Sequence, residues 1–128
     1  MSLVQRVTDF WHDIHNQNWD KLADYFSETA VINWHHTNEQ FTVDEYILIN
    51  SEYPGTWIIE TEHFLEVDGF VTSVIKAFAP DKSVIFHAVS FFSFEDTKIC
   101  TLDEYWSLVI EPPQWRKEMK VGRPLHNS

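Results

Sequence analysis

TWIIETEHFLEVDGFVTSVIKAFA, residues 56–79, decides the fold. In its first half Trp57, Ile59, Thr61, His63, Leu65 and Val67 alternate with Glu60, Glu62 and Glu66. A period of two puts the first set on one face of a half-buried strand. Asp68-Gly69 follows, and both residues tolerate the positive φ that a two-residue hairpin turn demands. The second half, residues 70–79, returns as the partner strand.

Beyond it, Pro80-Asp81-Lys82 turns the chain into residues 83–94, which are apolar on both faces, and Glu95-Asp96-Thr97-Lys98 leads into a last strand over 99–110. Four long strands joined by short turns predict an antiparallel meander. Glu111-Pro112-Pro113 breaks the sheet and leaves residues 111–128 as a C-terminal tail, whose Trp115 and Leu125 are expected to fold back over an open end or onto a partner.

Toward the N-terminus, Leu3, Val4, Val7, Phe10, Trp11 and Ile14 recur at helical spacing, and Asn16-Gln17-Asn18 ends that amphipathic helix. Trp19, Leu22, Ala23 and Phe26 make one face of a shorter helix for which Asn18 is the expected cap. Ala30-Val31-Ile32-Asn33-Trp34 reads as a short strand. Thr42-Val43-Asp44-Glu45 has the form of a capping box, so a third helix starts there with Val43, Tyr46 and Ile47 toward the core and stops at Tyr53-Pro54-Gly55. Helix, helix, strand, helix and four strands predict an α+β fold, with N-terminal helices packed on a strongly curved antiparallel sheet.

A chain of 128 residues with 44% hydrophobic content, Trp 6, Phe 10 and Tyr 4 can fill one core, so a single domain over 1–128 is expected. Lys+Arg 9 against Asp+Glu 20 leaves a net charge of −11, which repels a phosphate backbone and excludes nucleic acid as a partner. Cys100 stands alone, so no internal disulfide forms and a reducing, cytoplasmic setting is expected. No apolar run is long enough to cross a bilayer, so no membrane partner is expected. Three glycines build no phosphate loop, and no cofactor is expected. His12 and His15 are half a zinc site at best, and no metal is expected.

Trp19-Asp20-Lys21-Leu22, Ala30-Val31-Ile32 and Glu104-Tyr105-Trp106, in this element order, resemble the nuclear transport factor 2-like superfamily and within it the SnoaL-like branch. Residues 33–39 and Pro113-Gln114-Trp115-Arg116 resemble small bacterial members. The resemblance implies a cystatin-like cone around a pocket and a homodimer through the outer sheet face. One observation supports the dimer independently. Phe86, Ala88, Phe92 and Phe94 occupy one face of their strand, yet Ile85, Val89 and Phe91, with His87 among them, leave the other face largely apolar too. Ketosteroid isomerase, of the same fold, works with a Tyr and two Asp residues; the comparison sends these to Phe10, Trp34 and Ser90, so that chemistry is not expected. The same comparison turns Leu102, Glu104 and Trp106 into the pocket and Asp103 and Tyr105 outward.

Glu104 is the first candidate catalytic residue, because an inward carboxylate is poorly solvated and its pKa rises toward the range of proton exchange. A structural carboxylate bonded to an Arg, an indole or a backbone amide is the other reading. His63 on the apolar face of its strand either forms an acid–base dyad with Glu104 or is a lone core histidine. Asn33 and His35 are expected near the mouth of the cone, and Ser90 as a small polar wall residue. The function these residues support is binding of a small, largely apolar or aromatic organic molecule in a pocket walled by Trp34, Phe86, Leu102 and Trp106, with acid–base chemistry at Glu104. The alternative is a non-enzymatic interaction and dimerisation module, with Trp34 and Trp106 collapsed over Glu104 and the pocket filled.

Overall fold

The computed structural model describes residues 2–126, in which helices lie against one six-stranded sheet. Helix α1 (Leu3–His15) begins where the Ser2 hydroxyl accepts from the Gln5 amide, and it buries Val7, Phe10 and Trp11. Gln17, at φ 58°, turns the chain out of it. The next helix is shorter than its apolar spacing predicts: α2 (Trp19–Leu22) passes into a 3-10 turn (Ala23–Tyr25), and Phe26 already opens strand β1 (Phe26–Trp34). Asn18 makes no side-chain cap bond, because its amide donates to Asp13 instead.

After β1 a turn with Asn38 at φ 58° sends the chain back as β2 (Glu39–Thr42), a short antiparallel partner that the sequence reading did not separate. Helix α3 (Val43–Glu52) starts with both bonds of the expected capping box, Thr42 Oγ1 accepting from Glu45 N and Glu45 Oε1 from Thr42 N. The meander follows as β3 (Ile58–Val67), β4 (Phe70–Phe78), β5 (Ile85–Glu95) and β6 (Lys98–Leu108), with Asp68 at φ 46° and Gly69 at φ 83° in its first turn.

The strand order is β2-β1-β6-β5-β4-β3, and β1 runs parallel to β6. The sheet is therefore mixed, not wholly antiparallel, because the crossover through α3 returns β1 to the last strand in the same direction. A bulge in β3 corrects a second expectation. Thr61 pairs with Ile75 and His63 with Val74, so one extra residue inverts the alternation. Phe64 packs against the core, while His63, Leu65 and Val67 are exposed. A similar irregularity at Cys100 in β6 adds curvature.

Phe10 sits at the centre of the core, with Trp11, Phe26, Tyr25 and Phe92 at centroid distances of 5.1 to 5.8 Å, all edge-on. Truncating so enclosed a ring to alanine costs about 3–5 kcal/mol. Past β6, residues 109–126 are exposed, including α4 (Gln114–Glu118) and Leu125, so the tail does not fold back over the open end. Among the described residues no helix is long and apolar enough to cross a membrane.

Candidate functional site

Glu104 has no exposed surface, and the registers of β1 and β5 set it beside Trp34 and Ser90. Its Oε1 accepts from Trp34 Nε1 at 2.8 Å and from Trp106 Nε1 at 2.9 Å, and its Oε2 accepts from the Tyr46 hydroxyl at 2.8 Å. The donors come from β1, β6 and α3. An indole N–H can only donate, so a shared acceptor fixes both rings. Burial pushes the carboxyl pKa up, while the hydrogen bonds from Trp106, Tyr46 and Trp34 favour the ionised form and oppose the rise. The Tyr46 phenol is pushed well up by its own burial and by the neighbouring Glu104 charge. Among the described residues no Lys, Arg or His forms an ion pair with Glu104. Farther along the same inner face Ser73 Oγ accepts from Trp11 Nε1 at 3.0 Å, and Ser90 Oγ, in register between Ser73 and Glu104, has no partner.

The cone opens into a cavity of about 340 Å³. Five of the six tryptophans border it, namely Trp11, Trp19, Trp34, Trp57 and Trp106. Part of the wall is continuous aromatic surface: Tyr53 to Trp57 is 5.9 Å between centroids, Trp57 to Phe86 5.7 Å, and Phe86 to Trp106 6.1 Å. Polar side chains come from Gln17, His36, Thr37, Asn50 and Ser51, and among the described residues no Asp, Glu, Lys or Arg borders the space. Partial burial lowers the pKa of His36, against the opposing pull of Glu39, which favours its neutral ring beside Trp34. Glu104 does not border the cavity; the two indoles that donate to it do.

Of the expected site residues, Trp34, Phe86 and Trp106 meet at this cavity. Leu102 and Ser90 are fully buried in the core and do not reach it. Because Trp34 points inward, its neighbours Asn33 and His35 point outward, and their expected contact with the pocket is not formed. Asn33 Nδ2 donates to Asp103 Oδ1 at 2.9 Å, and His35 Nε2 lies 2.7 Å from the same oxygen with its ring stacked 4.1 Å from Tyr105. His63 is turned outward by the β3 bulge, so it forms no dyad with Glu104. His87 also faces outward, with Nδ1 3.2 Å from Glu62 Oε1.

His12 contacts the Asn16 amide, and His15 Nδ1 accepts from Ile59 N at 3.0 Å. Among the described residues no group of three or more His, Cys, Asp and Glu side chains gathers closely enough to hold a metal ion. The sequence reading missed Tyr46 as a carboxylate donor, and Trp11, Trp19 and Trp57 as cavity wall. It had spent these rings on the core, although an indole N–H needs a partner wherever it is buried.

No family model matches the sequence, and a search of curated proteins finds no match either. Solved structures do match. A protein provisionally assigned as a ketosteroid isomerase from Kribbella flavida has a TM-score of 0.80 at 20% identity, over 95% of this chain and 89% of that one. A nuclear transport factor 2-like protein of unknown function from Burkholderia xenovorans has a TM-score of 0.77 at 16% identity, over 95% and 94%. A provisionally assigned SnoaL-like polyketide cyclase from Shewanella putrefaciens has a TM-score of 0.70 at 11% identity, over 83% and 90%. Likeness at such identities establishes the fold and leaves the chemistry to the site.

Proposed function

From the α+β cone of the nuclear transport factor 2-like fold that this chain adopts, and from its open cavity, we propose that the protein binds a small, largely apolar or aromatic organic molecule there. The observation that carries this reading is an unfilled space of about 340 Å³ with aromatic walls and a few polar atoms, the usual make-up of a small-molecule site. Trp34 and Trp106 do come together over Glu104, as the alternative expects, but the space in front of them stays open, which disfavours a module with a filled pocket. Glu104 acts as a positioning residue. Its oxygens are engaged by three donors and its carboxyl has no exposed surface, so it aims the wall indoles and does not exchange protons with a ligand. Calorimetric titration with 4-tert-butylphenol tests the reading: saturable binding at one site, lost in Trp57→Ala, is expected. Absence of binding to any compact neutral or charged aromatic probe would remove it.

The outer face of the sheet favours a second copy of the chain as partner. Phe91 and Tyr105 are 46% and 45% exposed there, in edge contact with each other, beside half-buried Ile85, His87 and Val89. A self-complementary patch of this kind suits a two-fold dimer, and light scattering tests it.

A further inference from the structure

Resting on that cavity reading, we propose that the ligand is an organic cation, a methylated ammonium group carried on an aromatic or alkyl body, held by cation–π contact with the tryptophan walls.

A neutral hydrocarbon needs only apolar surface, which aliphatic side chains supply. Here Ile14, Ile59 and Ala77 are the aliphatic share, and aromatic rings make the rest of the apolar wall. Indole presents the strongest aromatic face to a cation, and five indoles converge on one space. Two of them, Trp34 and Trp106, donate their N–H to the same carboxylate oxygen. Such a bond shifts electron density onto the ring, and the carboxylate adds its own field from behind the wall. Both effects deepen the negative potential that a ligand meets. Glu104 also lacks a counterion among the described residues, and burying a carboxylate unpaired is costly. A cation across the indoles supplies the missing charge.

The rest of the wall agrees. Among the described residues no Lys or Arg borders the cavity, so a cation meets no fixed like charge and an anion no opposite one. The net charge of −11 raises the local concentration of cations and lowers that of anions.

The test compares two molecules of the same shape on the wild-type protein: 4-hydroxyphenyl-trimethylammonium and its carbon isostere 4-tert-butylphenol, titrated calorimetrically at neutral pH. About tenfold tighter binding of the cation is expected. Equal or weaker binding of the cation overturns the proposal and leaves the cavity reading standing. Binding of neither overturns both. Glu104→Gln keeps an acceptor for the indoles and removes the charge, so it should narrow the ratio of cation to neutral-isostere affinity severalfold. An unchanged ratio in that variant overturns the part assigned to Glu104. If the variant does not fold, the wild-type pair still decides.

Discussion

Replacing Glu104 by leucine should destabilise the protein far more than replacing it by glutamine. Leucine nearly preserves volume but strands the Trp34 indole N–H and the Tyr46 hydroxyl, both on buried residues, along with the Trp106 N–H at a half-buried one. Each buried donor left unpaired costs about 1–3 kcal/mol, so the two deepest come to about 2–6 kcal/mol. That is a large part of the roughly 5–15 kcal/mol that holds a domain folded. Glutamine keeps one oxygen for the two indoles and turns an amide toward the Tyr46 oxygen, which can accept. Its cost should stay within about 1 kcal/mol. Urea unfolding followed by tryptophan emission and far-ultraviolet circular dichroism measures both. Buried ion sites elsewhere can be exchanged for apolar residues at no loss. A leucine variant as stable as the glutamine one would place Glu104 in that class and refute its role as the acceptor that fixes the walls.

The pH dependence of the same pair has a definite sign. Burial raises the folded-state pKa of Glu104, so its contribution to stability is complete below the unfolded carboxyl value and is lost as pH rises through the folded one. The groups facing it are Trp34 on β1, Trp106 on β6 and Ser90 on β5, which do not titrate, and Tyr46 on α3, whose own pKa is pushed well up. The stability of wild type relative to Glu104→Gln should therefore be greatest below the ordinary glutamate range and fall as pH rises above it. A difference that grows with pH would contradict the assignment.

Three further substitutions separate the inner and outer faces of the sheet. Ser73→Ala leaves the Trp11 indole without its acceptor and should cost about 1–3 kcal/mol, whereas Ser90→Ala removes a hydroxyl that has no partner and should cost less than about 1 kcal/mol, as read by thermal or urea unfolding. Phe91→Lys places a cation directly opposite Asp103, a pairing the monomer accepts, but it charges the centre of the proposed dimer face. Light scattering should then report a monomer with an unchanged circular dichroism spectrum; a persistent dimer would move the interface elsewhere.

What was legible in the sequence was what depends on local pattern. The capping box at Thr42 and the Asp68-Gly69 turn follow from spacing and backbone preference alone, whereas the inward facing of Glu104 came from the family resemblance. His63 was misplaced for a reason that spacing cannot reveal: the β3 bulge adds one residue, and every side chain after it changes face. The parallel pairing of β1 with β6 depends on where the α3 crossover delivers the chain, which is a property of the whole fold. The cavity was hidden for a third reason. Trp11, Trp19 and Trp57 have the spacing of core residues, and a ring that walls a pocket is as apolar in sequence as one that fills a core. Asn33 and His35 could have been separated from Trp34 at the outset, since three consecutive residues of one strand cannot share a face.

That last alternation also explains why the wall of the cavity is held so firmly. In the β1–β6 register Trp34 faces Glu104 on the inside while Asn33 faces Asp103 on the outside, and His35 reaches the same Asp103 oxygen. Slipping β6 by one residue would drive Asp103 into the core and Glu104 into water, and slipping β1 would turn Trp34 outward and Asn33 inward, so either slip strands donors on both faces. Each carboxylate thus guards the register that the other needs. The aim of the Trp34 and Trp106 indoles toward the cavity is accordingly set from two sides, by the buried acceptor that bonds them and by a polar cluster on the opposite face that never approaches the ligand.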